Sequence, residues 1–312
     1  MKVLITGGAG YVGTTLCHAL CQREDVDEVV IYDNLSRPNR NLFLEGPLPV
    51  RPGLRVRFDG GDLLDTRRLG RALDGIDLVF HLAARVTTPF ADTDLHGFDQ
   101  VNHWGSAELS YLLERPQSSV KRLVYLSSTA VYGEASEPAA LGRPPAPTSA
   151  YGSSKHDGER MLERLSDRLD LHVVRCANVY GYNRSMRFDA VINRFLFDSH
   201  FRGRITVHGS GEQRRAFVHV DTVGRALARA VDGALPRGVS HLVEQNLSVH
   251  EIAAAVVQLE PQTEMLYIRQ HQRLHDLVVA PDPRLPASVR DGRPLVEQLA
   301  DFRARFAFSA AR

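Results

Sequence analysis

The sequence predicts an α/β fold: a doubly wound parallel sheet followed by a smaller C-terminal α/β lobe. Three observations carry it. A buried apolar run, Val3-Leu4-Ile5, breaks into four glycines within seven residues (Gly7, Gly8, Gly10, Gly13), and Val12, Leu16, Ala19 and Leu20 follow at helical spacing. Strand and helix patterns then alternate as far as Arg175. The second strand pattern, Val29-Val30-Ile31-Tyr32, ends in Asp33, twenty residues past Gly13.

The first element is strand, tight turn and helix. Glycine suits such a turn because it adopts unusual dihedrals and because a Cβ would hold an anion away from the amides at the helix N-terminus. The turn reads both as Gly8-x-Gly10-x-x-Gly13 and as Gly7-x-x-Gly10-x-x-Gly13, so spacing leaves its subtype open. A pyrophosphate on the turn and the Asp33 carboxylate on an adenosine ribose together describe a dinucleotide site of Rossmann type, with Asp33 favouring NAD over NADP.

The elements follow in order. A polar loop (34–53) leads to the alternating strand Leu54 to Asp59, which ends at Gly61-Asp62-Leu63. A short helix holding Leu69, Ala72 and Leu73 precedes the strand 77–82, which runs into the small residues Ala83 and Ala84, where an open sheet lets a ligand approach. A long helix over 95–113 comes before the strand 122–126, ending in Ser127-Ser128-Thr129. Residues 134–148, rich in Pro and Ala, read as a surface loop; Tyr151 opens a helix, and 171–175 is a strand.

Past Asn178 the rhythm loosens: a helix (Val191, Ile192, Phe195, Leu196), strands at 205–207 and 217–220, a helix through Leu227, a helix from Ser248 with Glu251 at the capping-box position, a strand at 265–268 and a last helix near 295–306. This divides the chain into a dinucleotide-binding part, 1–178, and a substrate lobe, 179–312.

At 312 residues the chain can bury a full doubly wound core. Its net charge of +1, with acids and bases mixed, gives no footprint for nucleic acid. No apolar run approaches the ~20 residues a membrane span needs. Cys17, Cys21 and Cys176 form neither a disulfide framework nor a metal cluster, which suits a reducing cytoplasm. Only Lys2, Lys121 and Lys155 are lysine among 38 basic residues, so a lysine inside a motif carries weight.

Tyr151-x-x-x-Lys155 puts a phenol and an ammonium on one helix face. A free tyrosine titrates near ~10; a neighbouring ammonium would favour the phenolate and make it a base.

Taken together, Thr6-Gly7-Gly8-Ala9-Gly10-Tyr11-Val12-Gly13, Asp33-Asn34-Leu35-Ser36, Gly61-Asp62-Leu63, His81-Leu82-Ala83-Ala84, Asn102, Ser128 in Ser-Ser-x-x-Val-Tyr-Gly, Tyr151-x-x-x-Lys155 and Arg175-x-x-Asn178-Val179-Tyr180-Gly181 resemble the extended short-chain dehydrogenase/reductases, in their NAD-dependent nucleotide-sugar epimerase/dehydratase branch, over essentially the whole chain. The resemblance implies a homodimer with NAD as cofactor and a nucleotide sugar as substrate. By it Ser128, Tyr151 and Lys155 are catalytic. Gly7, Gly10, Tyr11, Val12 and Gly13 meet the pyrophosphate, and Asp33, Asn34, Leu35, Ser36, Asp62 and Leu63 the adenosine. Leu82, Ala83, Ala84, Asn102, Ser127 and Cys176, with Tyr151 and Lys155, hold the rest of the cofactor. Val86, Thr87, Ser128, Asn178, Arg215 and Arg273 are its substrate residues, the arginines suited to a diphosphate; Arg85, Thr88 and Phe90 also fall by the pocket.

Sugar 4,6-dehydratases of this branch carry Asp-Glu where this chain has Thr129-Ala130, and neither of those can shuttle a proton. The resemblance therefore implies 4-epimerisation through a transient keto sugar. Net oxidation or reduction of a sugar is its alternative, dehydration is disfavoured, and a non-catalytic NAD-binding sensor is the reading from another class. Four positions depart from the family pattern: Tyr182 for Pro, Ala216 and Thr222 for Asp, and Glu244-Gln245-Asn246 for a glycine-bearing turn.

Overall fold

The computed structural model describes residues 1–37, 41–44, 49–86, 94–269 and 275–308. The strands are β1 (Lys2–Thr6), β2 (Glu28–Asp33), β3 (Arg55–Gly60), β4 (Leu78–His81), β5 (Arg122–Ser128), β6 (Ala135–Ala139), β7 (Asp170–Cys176), β8 (Asn178–Tyr180), β9 (Arg204–His208), β10 (Arg214–His219), β11 (Gly238–Leu242), β12 (Gln245–Ser248), β13 (Glu264–Ile268) and β14 (Leu277–Val279). The helices are α1 (Tyr11–Cys21), α2 (Thr66–Ala72), α3 (Leu95–Phe98), α4 (Gly105–Leu113), α5 (Ala150–Glu163), α6 (Val191–Arg202), α7 (Val220–Ala228), α8 (Val249–Leu259) and α9 (Leu295–Arg303). None of those described is long and apolar enough to cross a membrane.

Seven strands form one parallel sheet in the order β11-β7-β5-β4-β1-β2-β3. Val3 and Ile5 enter the core on one face with Leu16 and Leu20, while Leu4 enters the other with Leu69 and Leu109. Both faces are covered, so the strands read as unbroken apolar runs. A second sheet, β12-β10-β14-β6 with β8 on β10, and the β9–β13 pair build the smaller lobe around Phe195, Leu196, Phe217 and Val256.

Three features differ from the sequence expectation. Residues 135–139, expected as loop, form β6, an edge strand, where Pro138 is tolerated because a missing N–H breaks no ladder. The strand β11 returns from the second half of the chain to the main sheet, and α7 packs against α1. The chain therefore crosses back over the boundary at 178, and the lobes are not two consecutive segments. The 95–113 helix is present, but Asp99–Trp104 between α3 and α4 is a π-turn, centred on buried Asn102. The capping box on α8 forms as the residues foretell, Glu251 N donating to Ser248 Oγ and Ser248 N to Glu251 Oε2.

Candidate active site

The C-terminal ends of the parallel strands open into a cleft of about 1120 Å³ between the two lobes. At its floor the β1–α1 turn is drawn tight: Gly7, at φ +70°, donates its N–H to Tyr32 O, and Gly10 N donates to Gly7 O. A Cβ on Gly13 would stand 2.5 Å from Gly7 O and 2.6 Å from Gly8 Cα, so the turn itself requires glycine there. Gly10 is different. Its φ of −75° suits any residue, and a Cβ would meet only Gly7 O, at 3.1 Å. Gly10 lines the cleft, and what its missing side chain leaves is room for a ligand.

Asp33 ends β2 with Oδ2 accepting from Ala9 N and Oδ1 from Leu35 N; burial raises its carboxyl and those two amides oppose the rise. Asp62 accepts from Asn34 Nδ2 at 2.7 Å. His81, at the end of β4, is 1% exposed between Thr6 Oγ1 (2.8 Å) and Ser106 Oγ (3.0 Å). Because Ser106 donates to Asn102 O, it accepts from His81 Nε2–H, leaving Nδ1 to accept from Thr6. Burial, then the charge of Lys155, pulls His81 down to about 3, so the ring is neutral.

Ser149 caps α5, its Oγ accepting from Gly152 N, and this sets the first turn that carries Tyr151. The phenol faces the cleft beside Ser128. Burial holds it above its ordinary value, against the hydrogen bonding of Ser128 and the charge of Arg187. One turn on, Lys155 is 1% exposed, with Nζ 4.2 Å from the centroid of the Tyr125 ring. Burial brings its ammonium down to about 7, opposed first by Glu159. Burial thus opposes the charged form of both groups, and Arg187 is a protein cation that favours the phenolate.

Of the expected site residues among those described, all line the cleft except Leu35 and Asn102. Leu35, at φ +52°, turns its side chain into the core beneath α1. Asn102 lies behind the wall, where it accepts from Arg85 N and donates to Arg85 O and Ser154 Oγ, pinning the segment after Ala84 to α5. Thr87, Thr88, Phe90 and Arg273 lie outside the described residues. Arg215 points into the cleft, where burial lowers its ionisation against the pull of Asp276 and Glu134. Asn178 donates to Ala216 O. The sequence reading missed Arg187, which no spacing distinguishes in an arginine-rich chain, and Glu159, whose signal was present: Tyr151, Lys155 and Glu159 recur every four residues on one helix.

The four departures also find partners. Thr222 Oγ1 donates to Glu244 Oε1 at 2.6 Å, and Glu244 accepts further from His219 N and Asp291 N, so a carboxylate expected at 222 is supplied from 244. Ala216 is buried in the apolar core. Asn246 bridges to both the N–H and the carbonyl of Val279. Tyr182 packs on Phe302 with ring centroids 6.0 Å apart.

The smaller lobe closes over the turn. Tyr11 OH donates to Gly181 O, Asn183 Nδ2 to Tyr11 O and Thr15 Oγ1, and Thr14 Oγ1 to Ser185 Oγ. Arg184 Nη1 donates to Leu44 O and Asn41 Nδ2 to Arg184 O, tying the loop after Asp33 to the same segment.

A Gly10 cradle at a helix N-terminus, with a carboxylate at the end of the second strand, fits a dinucleotide and so defines a class, the dinucleotide-dependent enzymes of doubly wound fold. The chain belongs to the NAD dependent epimerase/dehydratase family, whose model matches residues 3–238; its members act on nucleotide sugars. It is similar to the dTDP-D-glucose 4,6-dehydratase of Mus musculus, 28% identical over 268 residues that cover 84% of this chain and 74% of that one. Among solved structures it is similar to MoeE5 in complex with UDP-glucose and NAD, 29% identical with a TM-score of 0.79 over 97% of this chain and 98% of that one. It is likewise similar to the Thermus thermophilus UDP-glucose 4-epimerase in complex with NAD, 25% identical with a TM-score of 0.82 over 98% of this chain and 100% of that one. Epimerases and dehydratases thus both stand among its relatives, and NAD is the cofactor bound in the family's structures.

Proposed function

We propose that the chain is a nucleotide-sugar 4-epimerase working through a transient keto sugar, with NAD held mainly by residues within 1–178 and the sugar nucleotide by residues within 179–312. One observation carries the choice over dehydration. Thr129 and Ala130 stand where an acid and a base would be needed, and neither lines the cleft. The lining carboxyls among the described residues are Asp33, Asp62 and Asp189. Asp33 lies three strands from Ser128, about 14 Å at ordinary strand spacing; Asp62 is bonded to Asn34, and Asp189 is held by both arms of Arg187.

NAD held there would supply the acceptor and donor of a hydride, and its oxidised ring a positive charge. Tyr151 removes the proton of the sugar hydroxyl and gives it back on return. Ser128 hydrogen-bonds the same hydroxyl, and Lys155 holds the nicotinamide ribose. Gly7, Gly10, Tyr11, Val12 and Gly13 cradle the pyrophosphate; Asp33, Asn34, Ser36, Asp62 and Leu63 take the adenosine; Arg215 and Asn178 take the substrate diphosphate. The hydrogen bonds that close residues 181–185 over the turn support a cofactor retained from one turnover to the next, which favours epimerisation over a dehydrogenase that must exchange it. Tyr151 and Lys155 both face the cleft, which speaks against a sensor.

MoeE5, solved also with UDP-glucuronic acid at 28% identity, supports a UDP-sugar. Arg187 beside the phenol favours a hexuronate, whose carboxylate would share that guanidinium with Asp189. Exposed Trp104 (51%) and Tyr111 (45%) on the 95–113 helix support a homodimer through that face, and three buried unpaired thiols suit the cytoplasm. The test is incubation with UDP-glucose, UDP-glucuronic acid and dTDP-glucose, read by NMR and by absorbance of NADH. A 4-epimer without accumulating NADH is expected; a 6-deoxy-4-keto product, or one NADH per sugar, would displace the proposal.

A further inference from the structure

We propose that the buried Glu159–Arg175 pair is a positioning device for Lys155, fixing a carboxylate one helical turn behind the ammonium so that the ammonium stays charged and in place within a dry site. The assignment rests on the reading of Tyr151 and Lys155 given above.

The geometry is closed on all sides. Strands β5, β7 and β11 set Ser127, Arg175 and His241 abreast in register. Glu159 Oε1 accepts from Ser127 Oγ at 2.5 Å and from Arg175 Nε at 3.0 Å, and Oε2 accepts from Arg175 Nη2 at 2.7 Å. Arg175 Nη1 donates to Tyr132 OH at 2.7 Å. His241 Nδ1–H donates to Ala280 O, so its Nε2 accepts from Tyr132 OH at 2.5 Å. Each of these side chains is under 9% exposed.

A buried ion pair is a poor way to gain stability, because desolvation costs several kcal/mol per ion and apolar replacements are often neutral or better. Its value lies in what it faces. The groups around Lys155 are Glu159 on α5, Tyr125 on β5, His81 on β4 and Cys176 on β7, with Tyr151 one helical turn before it. Burial holds the Tyr125 and Tyr151 phenols and the Cys176 thiol above their ordinary values, the thiol at about 12, and keeps His81 neutral. Glu159 is therefore the group of this set that supports a positive charge on Lys155 near neutral pH. Around Glu159 itself stand Ser127, Arg175, Tyr132, Tyr125 and His156, whose Nδ1 is 3.6 Å from Oε2. Arg175, gripping both oxygens, fixes the direction in which the carboxylate acts.

The chain's three lysines make the test direct. Full-length protein labelled with ¹³C,¹⁵N-lysine and saturated with NAD gives three side-chain signals, and Lys155→Met assigns the one of interest. Its titration midpoint should lie well below the ~10.4 of an ordinary lysine. Glu159→Gln, which keeps shape and hydrogen bonds but removes the charge, should lower that midpoint by at least about half a pH unit, within reach of what a nearby opposite charge does. Glu159→Asp should restore it. A midpoint unmoved in a folded Glu159→Gln protein overturns the inference. Should that variant not fold, the double variant Glu159→Gln/Arg175→Gln removes both charges of the pair; a smaller fall of the midpoint supports the inference, and no fall overturns it. The readout needs no sugar nucleotide. An active Tyr151→Phe enzyme would sink the catalytic reading, whereas an inactive one together with an unmoved Lys155 midpoint in Glu159→Gln would sink only this inference.

Discussion

Gly10→Ala is the substitution that separates a turn built for a ligand from a turn built for the fold. Backbone strain does not enter, since Gly10 sits at φ −75°. The new methyl would touch one protein atom, Gly7 O at 3.1 Å. Stability should therefore change by less than about 1 kcal/mol, the slight crowding being offset by the entropy that alanine removes from the unfolded chain. The same methyl occupies the space through which a pyrophosphate reaches the α1 amides. Losing one charge-assisted hydrogen bond, about 1.5–3 kcal/mol, corresponds to roughly 10- to 150-fold weaker NAD binding. Gly13→Ala is the control. Its methyl would lie 2.5–2.7 Å from three backbone atoms, and overpacking of that kind costs about 1–3 kcal/mol or more. Thermal melts and calorimetric titration with NAD read both quantities. A Gly10→Ala protein that bound NAD as tightly as the parent would refute the cradle.

Tyr151→Phe should lower turnover by about 10²-fold or more while NAD affinity stays within about twofold, since the ring remains and only the proton carrier is lost; stopped assays and calorimetry check it. Arg187→Gln should reduce kcat/KM for UDP-glucuronic acid by at least about tenfold more than for UDP-glucose, the scale of one charged hydrogen bond; equal losses would remove the carboxylate role. His81 is held neutral with its folded value near 3, below the ~6.5 of an unfolded histidine. The unfolded chain thus binds the extra proton between those values, and stability falls as pH drops through that window by up to about 1.4 kcal/mol per unit from this group. Denaturant midpoints from pH 7 to 4 should fall more steeply in the parent than in His81→Gln. Thr222→Asp restores the family's usual residue but sets two carboxylates together; it should cost more than about 3 kcal/mol, and adding Glu244→Gln should recover at least about 1, as urea unfolding of the four proteins would show.

Sequence legibility followed the source of each residue's energy. The β1–α1–β2 unit was readable because its strands are apolar on both faces and its turn needs glycine at Gly13 for local reasons. β11 was not, because Ser240 and His241 break the apolar pattern, and His241 is satisfied only by Tyr132 and a distant carbonyl. β6 was hidden by Pro138, which forbids a central strand but not an edge. Motif spacing marked Tyr151 and Lys155, yet their protonation depends on how deeply they are buried, which no spacing records. The same limit hid Arg187, whose approach to the phenol comes from the closure of the second lobe. The departures at Thr222 and Glu244, unconnected in sequence, are one hydrogen-bonded unit in space.

In the proposed reaction hydride leaves and returns to one sugar carbon, with no acid/base pair among the described residues that line the cleft. Conversion of UDP-[4-²H]glucuronic acid or UDP-[4-²H]glucose in ordinary water, followed by NMR of the product, tests it most directly. A C4 epimer with the deuterium still on C4 is expected; deuterium displaced to C6, or carried off on free NADH, would contradict that course.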